Sequence, residues 1–382
     1  MVVRAIKTVR QSCEPTKEML DLMETFRLMV NRCIQIGLEN NITSLRALSS
    51  KSYRQLTAFK TPSYYKLCAI SHSVGILRNF RKALRRGRKV RIPFAKQPML
   101  TTCYGFKILD CRLRLPLGNQ QSVWIPLNQH TQEVLSDPSL TVRSICLIAR
   151  TVSISFSKEI AEVEPAGLIG MDRNLDNVST VSSDGSIRAY DLSKATEIKA
   201  KYRAIKTHLK RNDARVRKQV FGKYGRKQRN RITQLLHLTS KDIVRQAKAN
   251  QFGIVMEKLT GIRRLYQRGN GQGRNYRFRL NSWSYAELQR QVEYKAKWEG
   301  IRVIYVSPQK TSSTCAICGS HATECTERRV WCPKCRTLVD RDVNASRNIL
   351  GRGMRFVPIA PPSEAMVEEP PMAQSSKSMG VS

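Results

Sequence analysis

Cys315–Ile349 reads CAICGSHATECTERRVWCPKCRTLVDRDVNASRNI, and the rest of the chain is best read outward from it. Cys315 and Cys318 form one C-x-x-C and Cys332 and Cys335 a second, with thirteen residues between the pairs. Each such turn brings two thiolates onto one side of a tight bend, and two turns together complete a four-sulfur tetrahedron. A closed tetrahedron leaves no position for water, so the expectation is a structural zinc ribbon; the bland alternatives are a redox pair or unligated thiols. Behind it comes Asp340-Arg341-Asp342-Val343-Asn344, which opens a helical run and sets carboxylates beside the metal knob.

The composition narrows the class. A chain of 382 residues accommodates two or three domains, and 41% hydrophobic content is enough to give them cores. Against 29 Asp and Glu stand 67 Lys and Arg, a net charge of +38 that repels itself unless a polyanion covers it. Nucleic acid is therefore the expected partner. Five of the eleven cysteines fall within 315–335; Cys13, Cys33, Cys68, Cys103, Cys111 and Cys146 are scattered among apolar neighbours. That distribution fits a reducing interior with one metal site, not a secreted disulfide scaffold. No apolar signal region opens the sequence and no run approaches ~20 apolar residues, so neither export nor a membrane span is expected.

Upstream, Val2–Ser12 alternates apolar and charged residues as a strand does. Thr16 can cap a helix whose apolar positions, Leu20, Met23, Phe26, Val30, Cys33 and Ile34, recur at helical spacing, and helical patterning continues to about Arg88. Tyr53, Phe59, Tyr64 and Tyr65 alternate there with Lys51, Arg54, Lys60 and Lys66; such residues either stack on bases and grip phosphates or serve as core and rim. The run 81–89, RKALRRGRK, clusters cations tightly enough for a phosphate backbone. Short strands follow (YGFKIL, CRLRLPLG, SVWIPL, SLTVRSICLIA, TVSISFS), with turns at Gly118-Asn119 and Asp137-Pro138, and imply a small β-barrel or sandwich. Glu159–Pro165 makes an acidic boundary.

Beyond it, Gly167–Asp172 is an apolar strand ending in a carboxylate, and Asp184-Gly185 marks a hairpin within three antiparallel strands. Residues 194–250 are helical and very basic, interrupted near Gly222–Gly225. Gly253–Glu257 is a second apolar strand ending in an acid; Arg268–Arg279 reads as a basic loop, Trp283–Glu299 as a helix, Ile301–Val306 as a strand. From Val357 onward, Pro, Ser and acids indicate a disordered tail. Asp172, Glu257 and Asp342 thus end or open elements in the order of a ribonuclease-H-type nuclease. Phosphodiester hydrolysis by two Mg²⁺ ions needs such hard oxygen ligands, holding the ions ~4 Å apart.

The segments GLIGMDRNLDNVSTVSSDG, IVMEKLTGI, WSYAELQRQVEYKAKWEGI, SPQKTSSTCAICG, CPKC and DRDVNASRNI, in this order over Gly167–Ile349, resemble the TnpB (OrfB) family. Its members are transposon-encoded RNA-guided DNA endonucleases related to type V CRISPR effectors. The resemblance implies an α+β multidomain chain. A wedge β-barrel would take 1–12 and 89–158, with a helical recognition insert at 13–88 and a linker at 159–166. An RNase H-like (RuvC) α/β nuclease domain would take 167–314 and 336–356, with a zinc ribbon at 315–335 and a tail at 357–382. It implies Asp172, Glu257 and Asp342 as catalytic acids holding Mg²⁺, and Cys315, Cys318, Cys332 and Cys335 as ligands of a structural Zn²⁺. Asp340 is the competing acid; two positions away, it faces elsewhere, and the family's D-x-N-A pattern selects Asp342. Asp176 reads as an outer acid or a turn residue, while His321 and Cys325 carry no expected role. The implied partners are a structured guide RNA and a double-stranded DNA target beside a short adjacent motif, with the protein monomeric in a cytoplasmic or nucleoid ribonucleoprotein. The competing readings are a nuclease-inactive RNA-guided regulator and an RNA-independent transposase.

Overall fold

Alternation in Val2–Ser12 (β1) buries Ala5, Val9 and Gln11 and exposes the residues between them, as a half-covered strand should. In the computed structural model, which describes residues 2–118, 120–208, 214–215, 219–262, 269 and 271–357, this strand begins the first of two units, 1–161 and 162–382. After β1 come helices α1 (Lys17–Glu39), α2 (Leu45–Leu56) and α3 (Ser63–Arg85). Strands β2 (Met99–Thr102), β3 (Lys107–Leu109), β4 (Arg112–Gly118) and β5 (Gln121–Pro126) follow, then α4 (Gln129–Leu135), β6 (Thr141–Ile148) and β7 (Thr151–Ala161). Thr16 caps α1 by accepting from the Met19 amide, and Met23, Phe26, Val30, Cys33 and Ile34 face inward as the periodicity predicts; Leu20 turns outward instead.

The strands expected to form a barrel pair as two antiparallel sheets, β1-β7-β6-β2 and β3-β4-β5. Among the described residues no pairing joins them into a closed cylinder. Strand β2 and helix α4 were not legible in sequence, because four residues and two turns are too short for either period to register. Of the four aromatics, Tyr65 is fully buried and donates to the Pro116 carbonyl at 2.7 Å, so it is core; Tyr53 remains half-buried.

The second unit opens with β8 (Gly167–Arg173), β9 (Asn177–Ser182) and β10 (Ile187–Asp191), all antiparallel neighbours. Helices α5 (Ser193–Thr207) and α6 (Phe221–Ala249) lead to β11 (Phe252–Glu257), then α7 (Arg274–Asn281), α8 (Tyr285–Trp298) and β12 (Val303–Val306). The sheet order is β10-β9-β8-β11-β12, with β11 parallel to both β8 and β12. A three-stranded ribbon, β13 (Thr323–Glu324), β14 (Arg329–Cys332) and β15 (Thr337–Asp340), runs directly into α9 (Arg341–Met354).

Three expectations need correction here. Helix α6 continues through Gly222 and Gly225, and the break lies before it, partly outside the described residues. Each glycine weakens a helix by ~1 kcal/mol, too little to end one held by seven buried positions from Ile232 to Ala247. The supposed loop 268–279, of which 268 and 270 lie outside the described residues, ends in α7, which runs on to Asn281, has no buried residue and so shows no apolar stripe in sequence. Val357, assigned to the tail, is buried with Leu168, Val181 and Ile349; the rest of the expected tail, 358–382, lies outside the described residues. Among the described residues, no helix is long and apolar enough to cross a membrane.

The mixed sheet is covered on both faces, and this places the acids. On one face Ile169, Met171, Ile254 and Met256 pack against residues of α5, α6 and α8. On the other, Leu168 and Val255 pack against Ile349 and Leu350 of α9. Helix α9 lies so close that a Cβ on Gly170 would sit 2.3 Å from the Ser346 carbonyl oxygen. Period two then sends Asp172 to the α9 side with Leu168 and Gly170, and Glu257 there with Val255.

Candidate active site and metal centre

The register pairs Met171 with Met256, so the next residues along the two parallel strands are Asp172 and Glu257. Both stand at carboxyl ends of neighbouring strands, where open α/β sheets bind ligands. The first turn of α9 adds Asp342. All three are buried, at 8%, 7% and 4% exposure, a depth acids seldom reach unless they are paired. Burial, reinforced by the nearby Glu257 carboxylate, pushes Asp172 up to about 7, and the amide of Asn174, 2.8 Å from its Oδ2, pulls the other way. Burial also raises Glu257, opposed by the Thr311 hydroxyl, which donates to Oε1 at 2.7 Å, and by the buried guanidinium of Arg173.

Asp340 and Asp342 separate cleanly in geometry. Asp340 is exposed and caps α9, its Oδ1 accepting from the amides of Asp342 and Val343 at 2.9 Å each. A capping carboxylate is committed to the helix terminus. Asp342 instead turns inward, where Arg328 grips it: Nη2 lies 2.6 Å from Oδ1 and 2.9 Å from Oδ2. Asn177 donates to the same carboxylate at 3.0 Å. Asp176 binds Thr196 and pairs with Arg279, partners that belong to a turn residue.

The four cysteines also converge. All four Sγ atoms lie within 4.8 Å of one another, the single such set of possible metal ligands among the described residues. The separations Cys318–Cys332, 3.5 Å, and Cys315–Cys335, 3.9 Å, bracket the roughly 3.8 Å that two 2.3 Å Zn–S bonds subtend at a tetrahedral angle. Left to themselves the sulfurs disagree: hydrogen bonds from Ser320 bring Cys318 down to about 6, whereas its neighbour Cys318 drives Cys335 up to about 12. A bound cation removes that conflict, because coordinated thiols are deprotonated. The set fits zinc. Cys325 is exposed and His321 contacts the Ser313 carbonyl; neither joins it.

Side chains that sequence reasoning passed over stitch the two centres together. Asn344 accepts from the Ala316 amide at 2.9 Å and donates to the Thr314 carbonyl at 2.8 Å, and Asn348 donates to the Thr311 and Thr314 carbonyls. Helix α9 thus holds the loop that carries Thr311 and the first cysteine pair. Arg173, buried behind the acids, donates to the Glu257 carbonyl and, at 2.8 Å, to Gln289. The sequence signal for Arg173 and Asn344 is their place one or two positions from an acid; Asn348 carries none. In the first unit, a cavity of about 920 Å³ is lined by Tyr53, Arg46, Arg54 and Tyr104.

The chain is similar to several known proteins. The family described as Cas12f1-like, TNB domain, matches residues 285–349. A TnpB-like protein of Methanocaldococcus jannaschii is 29% identical over 226 residues, covering 57% of this chain and 80% of its own. The CRISPR-associated endodeoxyribonuclease Cas12f2 of a Micrarchaeota archaeon is 37% identical over 29% of this chain, which spans only 21% of that larger relative. The putative RNA-guided DNA endonuclease InsQ of Escherichia coli is 29% identical over 53% of each chain. Among solved structures, Cas12f1 in a complex with sgRNA and target DNA superposes with TM-score 0.59 at 13% identity, covering 87% of this chain and 83% of that one. That likeness extends to the fold alone.

Proposed function

We propose that this chain is a TnpB-type RNA-guided DNA endonuclease that cuts DNA complementary to a bound guide beside a short adjacent motif. The carrying observation is that Asp172 of β8, Glu257 of β11 and Asp342 of α9 are all buried, with Glu257 and Asp342 both near enough to raise the Asp172 carboxyl. On this reading the second unit is a RuvC-like nuclease domain with an inserted zinc ribbon, and the sheets and helices of the first unit are wedge and recognition elements. The cysteine set holds a structural Zn²⁺.

Asp172, Glu257 and Asp342 would hold divalent magnesium, which would supply activation of water and neutralisation of the charge on the leaving oxygen. The chain's own residues prepare that site. Burial keeps bulk water away and makes the carboxylates strong ligands; Asn174, Thr311 and Asn177 fix one oxygen on each. Arg328 balances Asp342 and must yield an oxygen for that acid to serve as a ligand. The relatives' names speak of RNA guidance, and the +38 charge gives a polyanion a reason to bind. The test uses ribonucleoprotein carrying Asp172→Ala, Glu257→Ala or Asp342→Ala. Each should abolish Mg²⁺-dependent cleavage while guided DNA binding persists. Cutting at the parent rate by any of the three removes that residue from the site.

A further inference from the structure

Residues 172–177, DRNLDN, turn the chain from β8 into β9. Three side chains of this turn reach three different acid-bearing places: Asn174 the carboxylate of Asp172, Arg173 the carbonyl of Glu257, Asn177 the carboxylate of Asp342. Asn177 differs from the other two in what it leaves over. Its Nδ2 lies 3.0 Å from Asp342 Oδ2, and an ionised carboxylate can only accept, so the orientation of the amide is fixed. Its Oδ1 is then buried with no donor among the described residues. A buried carbonyl oxygen left without a donor is costly and calls for a ligand. Nor can the residue swing away to find one elsewhere. Its own carbonyl accepts from the Asn174 amide at 2.9 Å, and its backbone pairs with Asp191 of β10.

An amide oxygen is a hard, neutral donor of the kind that joins carboxylates and water around divalent cations. Resting on the assignment of Asp342 as a ligand made above, we propose that Asn177 is a positioning residue for the divalent-cation site. Its Nδ2 holds Asp342 in the ligating orientation, and its Oδ1 accepts a hydrogen bond from a water of the cation's hydration shell. Two guanidiniums also reach Asp342: Arg341 beside it, with Nε 3.7 Å from Oδ1, and Arg328, which comes from the ribbon, grips both oxygens and is half exposed. Asn177 belongs to the sheet itself and keeps the carboxylate in place when Arg328 lets go.

The test is a Mn²⁺ titration of parent, Asn177→Ala, Asn177→Ser and Asp342→Ala proteins. Binding is measured by calorimetry on the full chain freed of RNA, and the Mn²⁺ concentration for half-maximal cleavage on the ribonucleoprotein. Asn177→Ala should weaken Mn²⁺ binding and raise the half-saturating concentration by about tenfold or more, the size typical of residues that orient metal ligands. Melting temperature and guided DNA binding should stay at the parent values, and Asn177→Ser, which keeps a small hydrogen-bonding oxygen, should shift less. Parent-like Mn²⁺ binding by Asn177→Ala overturns the proposal. If Asn177→Ala melts early, Asn177→Ser decides; early melting of both with parent-like Mn²⁺ binding makes the residue structural only. Should Asp342→Ala bind Mn²⁺ and cut as the parent does, the assignment of that acid fails, and this proposal with it.

Discussion

Asp172 shows how a single buried acid ties stability to function. Its carboxyl sits at about 7, above the ordinary 3.8, so without a cation the folded chain keeps a proton that the unfolded chain sheds. The folded state therefore binds more protons across that window, and its stability falls as pH rises from about 4 through about 7. Asp172→Asn removes the charge while keeping the shape. In metal-free protein at pH 8 it should raise the melting temperature by roughly 5 °C or more, and at pH 4 it should change little. Addition of Mg²⁺ should stabilise the parent but not the variant. An equal melting temperature for both proteins at pH 8 would show that the burial is relieved by something else. Asp340 makes the contrasting case: Asp340→Ala removes a helix cap, worth ~1 kcal/mol, and should leave cleavage standing where Asp342→Ala abolishes it. Loss of cutting in Asp340→Ala, with Asp342→Ala active, would reverse the two roles. Asp172 and Glu257 could be singled out in sequence because a strand that ends in a carboxylate is a local pattern, whereas the choice of Asp342 rested on the family's D-x-N-A pattern. Arg328, Asn177 and Thr311 could not be singled out, because their importance lies in partners 14, 165 and 54 residues away.

Elements matter here chiefly through close approach. Gly170 is the point at which α9 touches the sheet, and Gly170→Ala should cost about 3 kcal/mol, since the clash is with backbone that cannot step aside. A variant as stable as the parent would mean that α9 moves freely on the sheet. If the four cysteines hold zinc as proposed, the ribbon depends on that metal in another way. Its own core is only Ala322, Val330 and the cysteines, with Val339 against them, too little to fold on burial alone. One zinc per chain is expected, and Cys332→Ser should release it and open the segment 315–340 to protease. Because Asn344 and Asn348 fasten this segment to α9, the same change should also weaken Mg²⁺-dependent cutting. A zinc-free protein with the parent's protease pattern and activity would rule this out. The cysteine pairs were plain in sequence because ligand spacing is local. Helix α7 and the unbroken α6 were not, since one has no buried stripe and the other keeps its glycines by packing.

At the scale of the molecule the charge sets the question of specificity. The excess of +38 includes clusters in both halves of the sequence, 81–91 and 199–231, more than a short DNA site needs. Phosphate contacts give affinity without reading sequence, so a protein recognising DNA this way draws its specificity from elsewhere. On the proposed function, pairing between a bound guide and the target strand supplies it. The layout of the second unit could be read from acids at strand ends. The pairing of the first unit's strands into two sheets could not, because short strands carry no mark of their neighbours. The most direct measurement exchanges only the guide segment of the copurifying RNA and maps the cut on DNA that keeps the adjacent motif. The cut should move to the new complement, and RNA-free protein should show only weak, salt-sensitive binding. RNA-free protein cutting the original site at the same rate, or a cut that stays in place when the guide changes, would contradict guided cleavage and favour an RNA-independent transposase.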